Sequence, residues 1–221
     1  MRVLAIAPHP DDELIGAGGS LIRHARRGAE VTCLQVVGRE PTLDGERTDA
    51  EYDAEIELAR SRLGATECVS LNAPSRDLLP TRELRLRVAE VVRRVRPDIV
   101  YLPHRDEADL EHQVVHDIAH DGLWMASAGF FPEAGPRPCP PPRLVLGYEV
   151  WTPLRRFQHV EDISDAVEQK VAAMRAYASQ LEHVAWDEAV RGLAAYRGAM
   201  AQGGGHAEVF EVLRMGPAAV A

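Results

Sequence analysis

The segment APHPDDE, at residues 7–13, places a histidine, a proline and three consecutive acidic residues directly after a short hydrophobic run. One or two acids at this position would cap the following helix and complement its N-terminal charge. Capping does not explain His9, nor why Pro10 stiffens the turn. An imidazole and several carboxylates together form a ligand set suited to Zn²⁺ and related divalent cations. The segment therefore indicates a cation site.

A catalytic zinc ion typically takes three protein ligands, so a further ligand must come from elsewhere in the chain. The best source is residues 102–120, LPHRDEADLEHQVVHDIAH. His112, His116 and His120 recur every fourth residue, which places them on one face of a predicted helix. Only His112 belongs to the first helical turn, near the preceding strand. His104 and His112 therefore remain the candidates for the further ligand, and core or surface positions are predicted for His116 and His120.

Two other interpretations of these segments are weaker. Gly16, Gly18 and Gly19 resemble a nucleotide-binding loop, but that fingerprint needs glycines directly after the strand, where acids here would repel phosphates. We expect the glycines to permit close packing of the helix instead. The HQVVH pair resembles the zinc helix of metalloproteases, but Gln113 stands where their general-base glutamate is required.

The elements that would position these residues alternate between strand and helix. Strands are predicted at 2–7, 30–37, 67–71, 98–102, 144–150 and 207–213, and helices at 14–27, 47–63, 81–96, 109–125, 163–180 and 186–200. This alternation indicates right-handed βαβ units around a parallel sheet. We predict one α/β domain over residues 1–221, Rossmann-like, with a mostly parallel sheet flanked by helices and a small C-terminal α/β supplement. The first and fourth strands would then be neighbours, so their carboxyl ends converge.

Composition and charge indicate which classes of partner the protein can bind. The net charge of −9 argues against nucleic acid, which requires a clustered basic surface. Arg93, Arg94 and Arg96 do cluster, but they are expected to form a solvated helix end. No apolar run approaches the roughly 20 residues that span a bilayer. The cysteines lie outside any CxxC pattern: Cys33, Cys68 and Cys139. We expect a cytoplasmic protein that acts on a small molecule, and a homo-oligomer is compatible with the sequence.

The HPDDE segment, followed later by the acid–histidine pair Glu111–His112, resembles the LmbE-like (PIG-L) zinc N-deacetylases. These enzymes remove acetyl groups from N-acetylglucosamine conjugates in antibiotic, thiol-cofactor and glycolipid pathways. Residues 148–154 (YEVWTPL), 177–183 (YASQLEH) and 206–212 (HAEVFEV) are similar to C-terminal segments of bacterial members. The resemblance implies hydrolysis of an acetamide to acetate and a free amine, with one Zn²⁺ per chain and Fe²⁺ as the alternative ion.

The resemblance also implies a role for each matching residue. The metal ligands fall on His9, Asp12 and His112. Asp11 takes the place of the general base, which removes the proton of the attacking water and returns it to the departing amine. Glu13 and Glu111 are expected to support the ligands by hydrogen bonding. Arg47 is the nearest match to a basic residue that contacts sugar hydroxyls or a phosphate.

Asp109 departs from the family pattern, because a histidine commonly stands there and is credited with stabilising the oxyanion or protonating the amine. An ionised carboxylate cannot donate a hydrogen bond to an oxyanion. We therefore expect Asp109 to cap its helix or orient the substrate. His206 is expected to be the donor, since the preceding GGG lets the chain turn into the site, and His104 and His116 are the alternatives. His104 is also expected to contact the substrate.

Two other functions remain open at the level of sequence. A phosphoesterase would need a second metal, for which Asp106 and Glu107 are the candidate ligands. A non-enzymatic sugar- or nucleotide-binding module would use the acids only to cap a helix. Metal content distinguishes these functions: a deacetylase would hold one ion per chain, a phosphoesterase two, and a binding module none.

Overall fold

The computed structural model describes residues 1–39, 47–135 and 137–216. The strands are β1 (Arg2–Ala7), β2 (Glu30–Val37), β3 (Glu67–Ala73), β4 (Ile99–Pro103), β5 (Leu144–Tyr148), β6 (His159–Asp162) and β7 (Ala207–Met215). The α-helices are α1 (Asp12–Arg26), α2 (Asp49–Leu63), α3 (Arg82–Val95), α4 (Leu110–Ser127), α5 (Val167–Met174), α6 (Ala178–Leu181) and α7 (Trp186–Gln202). A short 3₁₀ helix spans Pro132–Ala134. Within the described ranges, no helix is long and apolar enough to cross a bilayer.

The strands form one seven-stranded sheet in the order β3-β2-β1-β4-β5-β7-β6. The first five strands of this order pair in parallel, whereas β7 runs antiparallel to both β5 and β6. The predicted Rossmann-like topology with a C-terminal supplement is therefore confirmed. Strands β1 and β4 pair directly, with Val3 opposite Ile99. Their carboxyl ends thus open side by side, as the sequence predicted.

Local chemistry explains where the helices begin and end. Thr48 and Glu51 form a reciprocal capping box at the start of α2, and Gly64 ends that helix with φ 81°. The Thr81 side chain caps α3 by accepting from the N–H of Leu84. The helix predicted over 163–180 is interrupted between α5 and α6. Tyr177 is buried there, so tertiary packing bends the chain where periodicity alone indicated a continuous helix.

Helix α1 packs very closely on the sheet and on the C-terminal part of the chain. A Cβ atom on Gly16 would lie 2.1 Å from Cδ2 of Tyr148, and one on Gly19 would lie 2.7 Å from Cβ of Ile163. The prediction that these glycines permit close packing is confirmed. Because this packing fixes α1, it also fixes the turn that precedes it.

The prediction for the arginine cluster is wrong at Arg93, which is buried. Its guanidinium donates to the carbonyl oxygens of Ala126 at 3.1 Å, Phe131 at 2.8 Å and Ala128 at 2.8 Å. These carbonyls lie at and beyond the end of α4, where backbone acceptors lack intrahelical partners. Arg93 therefore joins α3 to the end of α4.

Candidate active site

The turn after β1 carries the acidic segment into α1. Asp11 adopts φ 106° and ψ −29°, a left-handed conformation that costs a non-glycine residue about 1–3 kcal/mol. Its carbonyl oxygen accepts from the N–H groups of Leu14 at 2.8 Å and Ile15 at 2.9 Å, so the residue starts the helix although its side chain makes no cap hydrogen bond. The strained turn leaves Asp11 lining an open pocket and places Asp12 against two histidines.

His9, Asp12 and His112 form a compact group at the paired ends of β1 and β4. One ligand atom from each residue lies within 4.8 Å of the other two. The Oδ2 atom of Asp12 is 3.3 Å from Nδ1 of His9 and 3.3 Å from Nε2 of His112. Asp12 and His112 are buried, and His9 is partly exposed towards the pocket. These are the three residues that the sequence analysis matched to metal ligands.

The chemistry of this group fits a divalent cation. The His112 ring is fully buried, yet neither of its nitrogens has a hydrogen-bond partner among the described residues. A buried polar atom without a partner is costly, and a cation that accepts the nitrogen lone pair would remove that cost. Burial lowers the pKa of His9, but its hydrogen bonds to Asp12 and Glu111 outweigh burial and raise the pKa to about 10. The carboxylates thus favour positive charge at this position.

His9, Asp12 and His112 are called the cation group below. Glu111 and Glu13 are buried close to it, and both were predicted to support the ligands by hydrogen bonding. Oε2 of Glu111 lies 2.8 Å from Nε2 of His9, the ring nitrogen that does not face Asp12. Hydrogen bonding of this kind fixes the orientation and tautomer of a ligating histidine. Glu13 lies behind Asp12; burial raises its pKa to about 7, and the charge of Asp12 adds to the shift although backbone hydrogen bonds oppose it. The structure thus places Glu111 in contact with a residue of the cation group.

Glu107, the candidate ligand of a second metal, is occupied by backbone donors. Its carboxylate accepts from the N–H groups of Val150 at 2.7 Å, Trp151 at 3.1 Å and Thr152 at 3.2 Å. One group of three or more histidine, cysteine, aspartate or glutamate side chains lies close enough to share an ion within residues 1–39, 47–135 and 137–216. It consists of His9, Asp12 and His112. The contacts of Glu107 therefore explain its burial without a second ion.

A pocket in front of the cation group is open to solvent. Its walls combine polar and aromatic side chains, including Arg76, Asp109, Trp151 and Trp186. The two tryptophan rings meet edge to face with centroids 4.8 Å apart, and Trp151 is half exposed. Flat apolar faces beside hydrogen-bonding groups are typical of sites for polar organic ligands.

Asp109 lies in the pocket and, as predicted, caps α4. Its side chain accepts from the N–H of Glu111 at 2.8 Å, and its Oδ2 atom lies 2.9 Å from Nη1 of Arg76. Burial raises the pKa of Asp109, but the hydrogen bonds from Arg76 and the Glu111 backbone outweigh it and lower the pKa below its ordinary value. Arg76 is not among the site residues predicted from the sequence. It follows β3, so the expectation that ligands collect at strand ends would have indicated it.

Arg47, His104 and His206 are not among the residues that line this pocket. Arg47 forms an ion pair with Glu182 at 2.5 Å. Nε2 of His104 contacts the carbonyl oxygen of Thr152 at 2.8 Å, and the ring borders a neighbouring cleft. The backbone N–H of His206 donates to Oγ of Ser164 at 2.9 Å. The structure therefore does not bring these three side chains together with the cation group.

His116 and His120 occupy the positions expected of them. His116 is buried, and its Nδ1 atom lies 2.9 Å from the carbonyl oxygen of Pro103. Burial lowers the pKa of His116, so the ring is held neutral in the core. His120 is exposed. The prediction of a core or surface histidine is confirmed for both.

Comparisons with known proteins agree with this geometry. Residues 4–122 match the PIG-L family, described as GlcNAc-PI de-N-acetylase. A diacetylchitobiose deacetylase from Thermococcus kodakarensis is 30% identical over 90% of this chain and 78% of its own length. A 1D-myo-inositol 2-acetamido-2-deoxy-alpha-D-glucopyranoside deacetylase from Rhodococcus erythropolis is 30% identical over 61% of this chain and 56% of its own length.

A solved structure extends the likeness to the whole fold. The conserved protein TT1542 from Thermus thermophilus superposes with a TM-score of 0.86 at 28% identity, covering 96% of this chain and 94% of that protein. The family match extends over more than half of this chain and includes every residue of the cation group. The chain therefore belongs to the PIG-L family.

Proposed function

We propose that the protein is a zinc-dependent N-deacetylase that hydrolyses the acetamide of an N-acetylglucosamine-type conjugate and releases acetate and a free amine. The observation that carries the proposal is the compact His9–Asp12–His112 group, in which Asp12 and His112 are buried, beside an open pocket that Asp11 also lines. Membership of the PIG-L family and the names of two relatives support the same reaction.

Each residue of the group has a distinct task in this proposal. His9, Asp12 and His112 would hold Zn²⁺, or Fe²⁺ in its place. The bound ion would acidify a water molecule and polarise the acetamide carbonyl. Asp11 lies in the left-handed turn and lines the pocket, whereas the side chain of Asp12 contacts His9 and His112. Asp11 accepts the proton of the attacking water and then delivers it to the departing nitrogen, which leaves as the amine.

The pocket walls support an amino sugar as the substrate. A pyranose presents apolar C–H faces and polar hydroxyls, and the site offers Trp151 and Trp186 beside Arg76 and Asp109. An antibiotic intermediate and a thiol-cofactor precursor both belong to this class of conjugate. The two named relatives act on a chitobiose and on an inositol-linked acetamidoglucoside, so both kinds of aglycone belong in the substrate panel.

The test is a panel of N-acetylglucosamine, N,N′-diacetylchitobiose and an inositol-linked N-acetylglucosaminide, assayed for released amine and acetate. We expect equal amounts of both products, loss of the activity after chelation, and its return with Zn²⁺ or Fe²⁺. A phosphate monoester is the control substrate. Release of phosphate without release of amine would contradict the proposal in favour of a phosphoesterase, and bound sugar without any turnover would favour a binding module.

We further propose that residues 1–221 act as one domain in the cytoplasm. The single sheet that joins the N-terminal strands to β7 supports one domain. The chain has three cysteines, an odd number, outside any CxxC pattern, and this supports a reducing compartment. The proposed partner is the small-molecule substrate.

A further inference from the structure

Arg76 is a cationic side chain in the pocket, close to the cation group. It lies between β3 and α3, its side chain is 58% exposed, and it lines the pocket together with His9 and Asp11. Its Nη1 atom is 2.9 Å from Oδ2 of Asp109 and 3.7 Å from Oε2 of Glu111. The same Glu111 oxygen lies 2.8 Å from Nε2 of His9. One carboxylate thus separates the guanidinium from a residue of the cation group.

The backbone of Arg76 is held in an unusual conformation by the same carboxylate. Its φ angle is +60°, a region that glycine enters freely and other residues enter at a cost. The N–H of Arg76 donates to Oε1 of Glu111 at 2.5 Å, so the loop is tied to the start of α4. Glu111 and Asp109 therefore hold both the backbone and the side chain of Arg76 at the pocket wall.

Amide hydrolysis places negative charge on the former carbonyl oxygen, and donors aimed at that oxygen stabilise the transition state. Asp109 cannot serve as this donor, because its oxygens accept hydrogen bonds from Arg76 and from the Glu111 backbone. Arg76 is the only lysine or arginine among the described residues that line the pocket. A guanidinium stays protonated and carries five N–H donors, so it can donate at any working pH.

We propose that Arg76, positioned by Asp109, donates hydrogen bonds to the oxyanion that forms during acetamide hydrolysis in this pocket. The inference rests on the proposed deacetylase function. Arg76 transfers no proton: the water oxygen bonds to the carbonyl carbon, the carbon–nitrogen bond breaks, and the proton passes through Asp11 to the amine. Arg76 is thus a catalytic residue, and Asp109 acts through it as a positioning residue.

The test compares Arg76→Gln, Arg76→Lys and Arg76→Gly on N,N′-diacetylchitobiose and N-acetylglucosamine with zinc-loaded enzyme. We expect Arg76→Gln to lower kcat by about 10²–10³, the cost of losing an oxyanion donor. Its KM should change by less than about threefold, since the interaction forms in the transition state. Arg76→Lys should recover part of kcat. Arg76→Gly should match Arg76→Gln, and because glycine suits the backbone angle, this variant guards against a folding defect.

The control is Arg82→Gln, which removes another exposed arginine, 61% exposed and paired with Glu133 at 2.8 Å, outside the pocket. It should leave kcat and KM unchanged, and all variants should bind the same amount of zinc. Asp109→Asn should lower kcat by about tenfold, and it should add little to Arg76→Gln because the two residues act together.

Three outcomes would overturn the assignment of Arg76. A wild-type kcat in both Arg76→Gln and Arg76→Gly would remove it from catalysis while the deacetylase function stands. A raised KM with unchanged kcat would make it a residue that only binds substrate. A loss of kcat in His206→Ala together with none in Arg76→Gln would assign the oxyanion to the histidine. If the wild-type enzyme releases no amine from any sugar of the panel, the proposed function falls as well.

Discussion

Nε2 of His9 lies 2.8 Å from Oε2 of Glu111, and this contact joins the turn after β1 to the first turn of α4. The other ring nitrogen, Nδ1, faces Oδ2 of Asp12 at 3.3 Å. When the ring holds a single proton, on Nε2 and donated to Glu111, the lone pair of Nδ1 is directed towards Asp12 and the cation group. Glu111 thus connects the orientation of a proposed ligand to the helix that carries His112.

The first prediction concerns this contact. Glu111→Ala should weaken zinc binding by about 10–100-fold, because removing a partner that orients a ligating histidine has this typical effect. Glu111→Gln should have a smaller effect, since its carbonyl oxygen can still accept from His9. Competition with a chromophoric chelator measures the affinity. Glu133→Ala, which removes an exposed glutamate outside the pocket, is the control; an affinity of Glu111→Ala equal to that of this control would mean that His9 needs no partner.

The second prediction separates two histidines on one face of α4. His112→Ala should abolish stoichiometric zinc binding, because this ring belongs to the cation group. His116→Ala should retain zinc, because Nδ1 of His116 is engaged by the carbonyl oxygen of Pro103. Metal analysis of the purified variants makes the comparison. Zinc lost from His116→Ala and kept by His112→Ala would shift the site by one helical turn.

The third prediction concerns the strained turn at Asp11. Asp11→Asn and Asp11→Gly should both keep zinc but lose at least about 10²-fold in kcat, since a general base contributes about 10²–10⁴. Asp11→Gly should also stabilise the fold by about 1 kcal/mol, because glycine adopts φ 106° without the steric cost. Urea unfolding and zinc content are the measurements. Loss of zinc in Asp11→Asn would instead make Asp11 a ligand.

The fourth prediction uses two helical glycines. Gly16→Ala should destabilise the fold by about 1–3 kcal/mol, because the added Cβ would lie 2.1 Å from Cδ2 of Tyr148 and 2.9 Å from the carbonyl oxygen of Glu149. Gly192→Ala in α7 has nothing within 4 Å of the new Cβ and should stabilise the fold by about 0.5–1 kcal/mol. Equal changes in the free energy of unfolding would show that α1 has room to move off the sheet.

The amino-acid sequence was sufficient for the parallel part of the fold and for the cation group. The hydrophobic runs of β1 and β2 are bounded by turn signals, and both strands have the predicted limits, Arg2–Ala7 and Glu30–Val37. Once the alternation of strands and helices predicts a parallel sheet, its topology brings the carboxyl ends of β1 and β4 together. The two turns that carry His9 and His112 could therefore be paired from the sequence, and the family resemblance then selected His112 in the second turn.

Other features depended on contacts that no local pattern contains. Strand β6 consists of the residues HVED, a sequence too short and too polar to indicate a strand. It forms because its backbone pairs with the edge of β7. Arg76 reaches the pocket because Glu111 and Asp109, more than thirty residues later in the chain, hold its backbone and its guanidinium. Sequence periodicity reports which face of an element is apolar. Which polar side chains meet at a strand end is decided by hydrogen bonds between loops, and these exist only after the sheet has assembled.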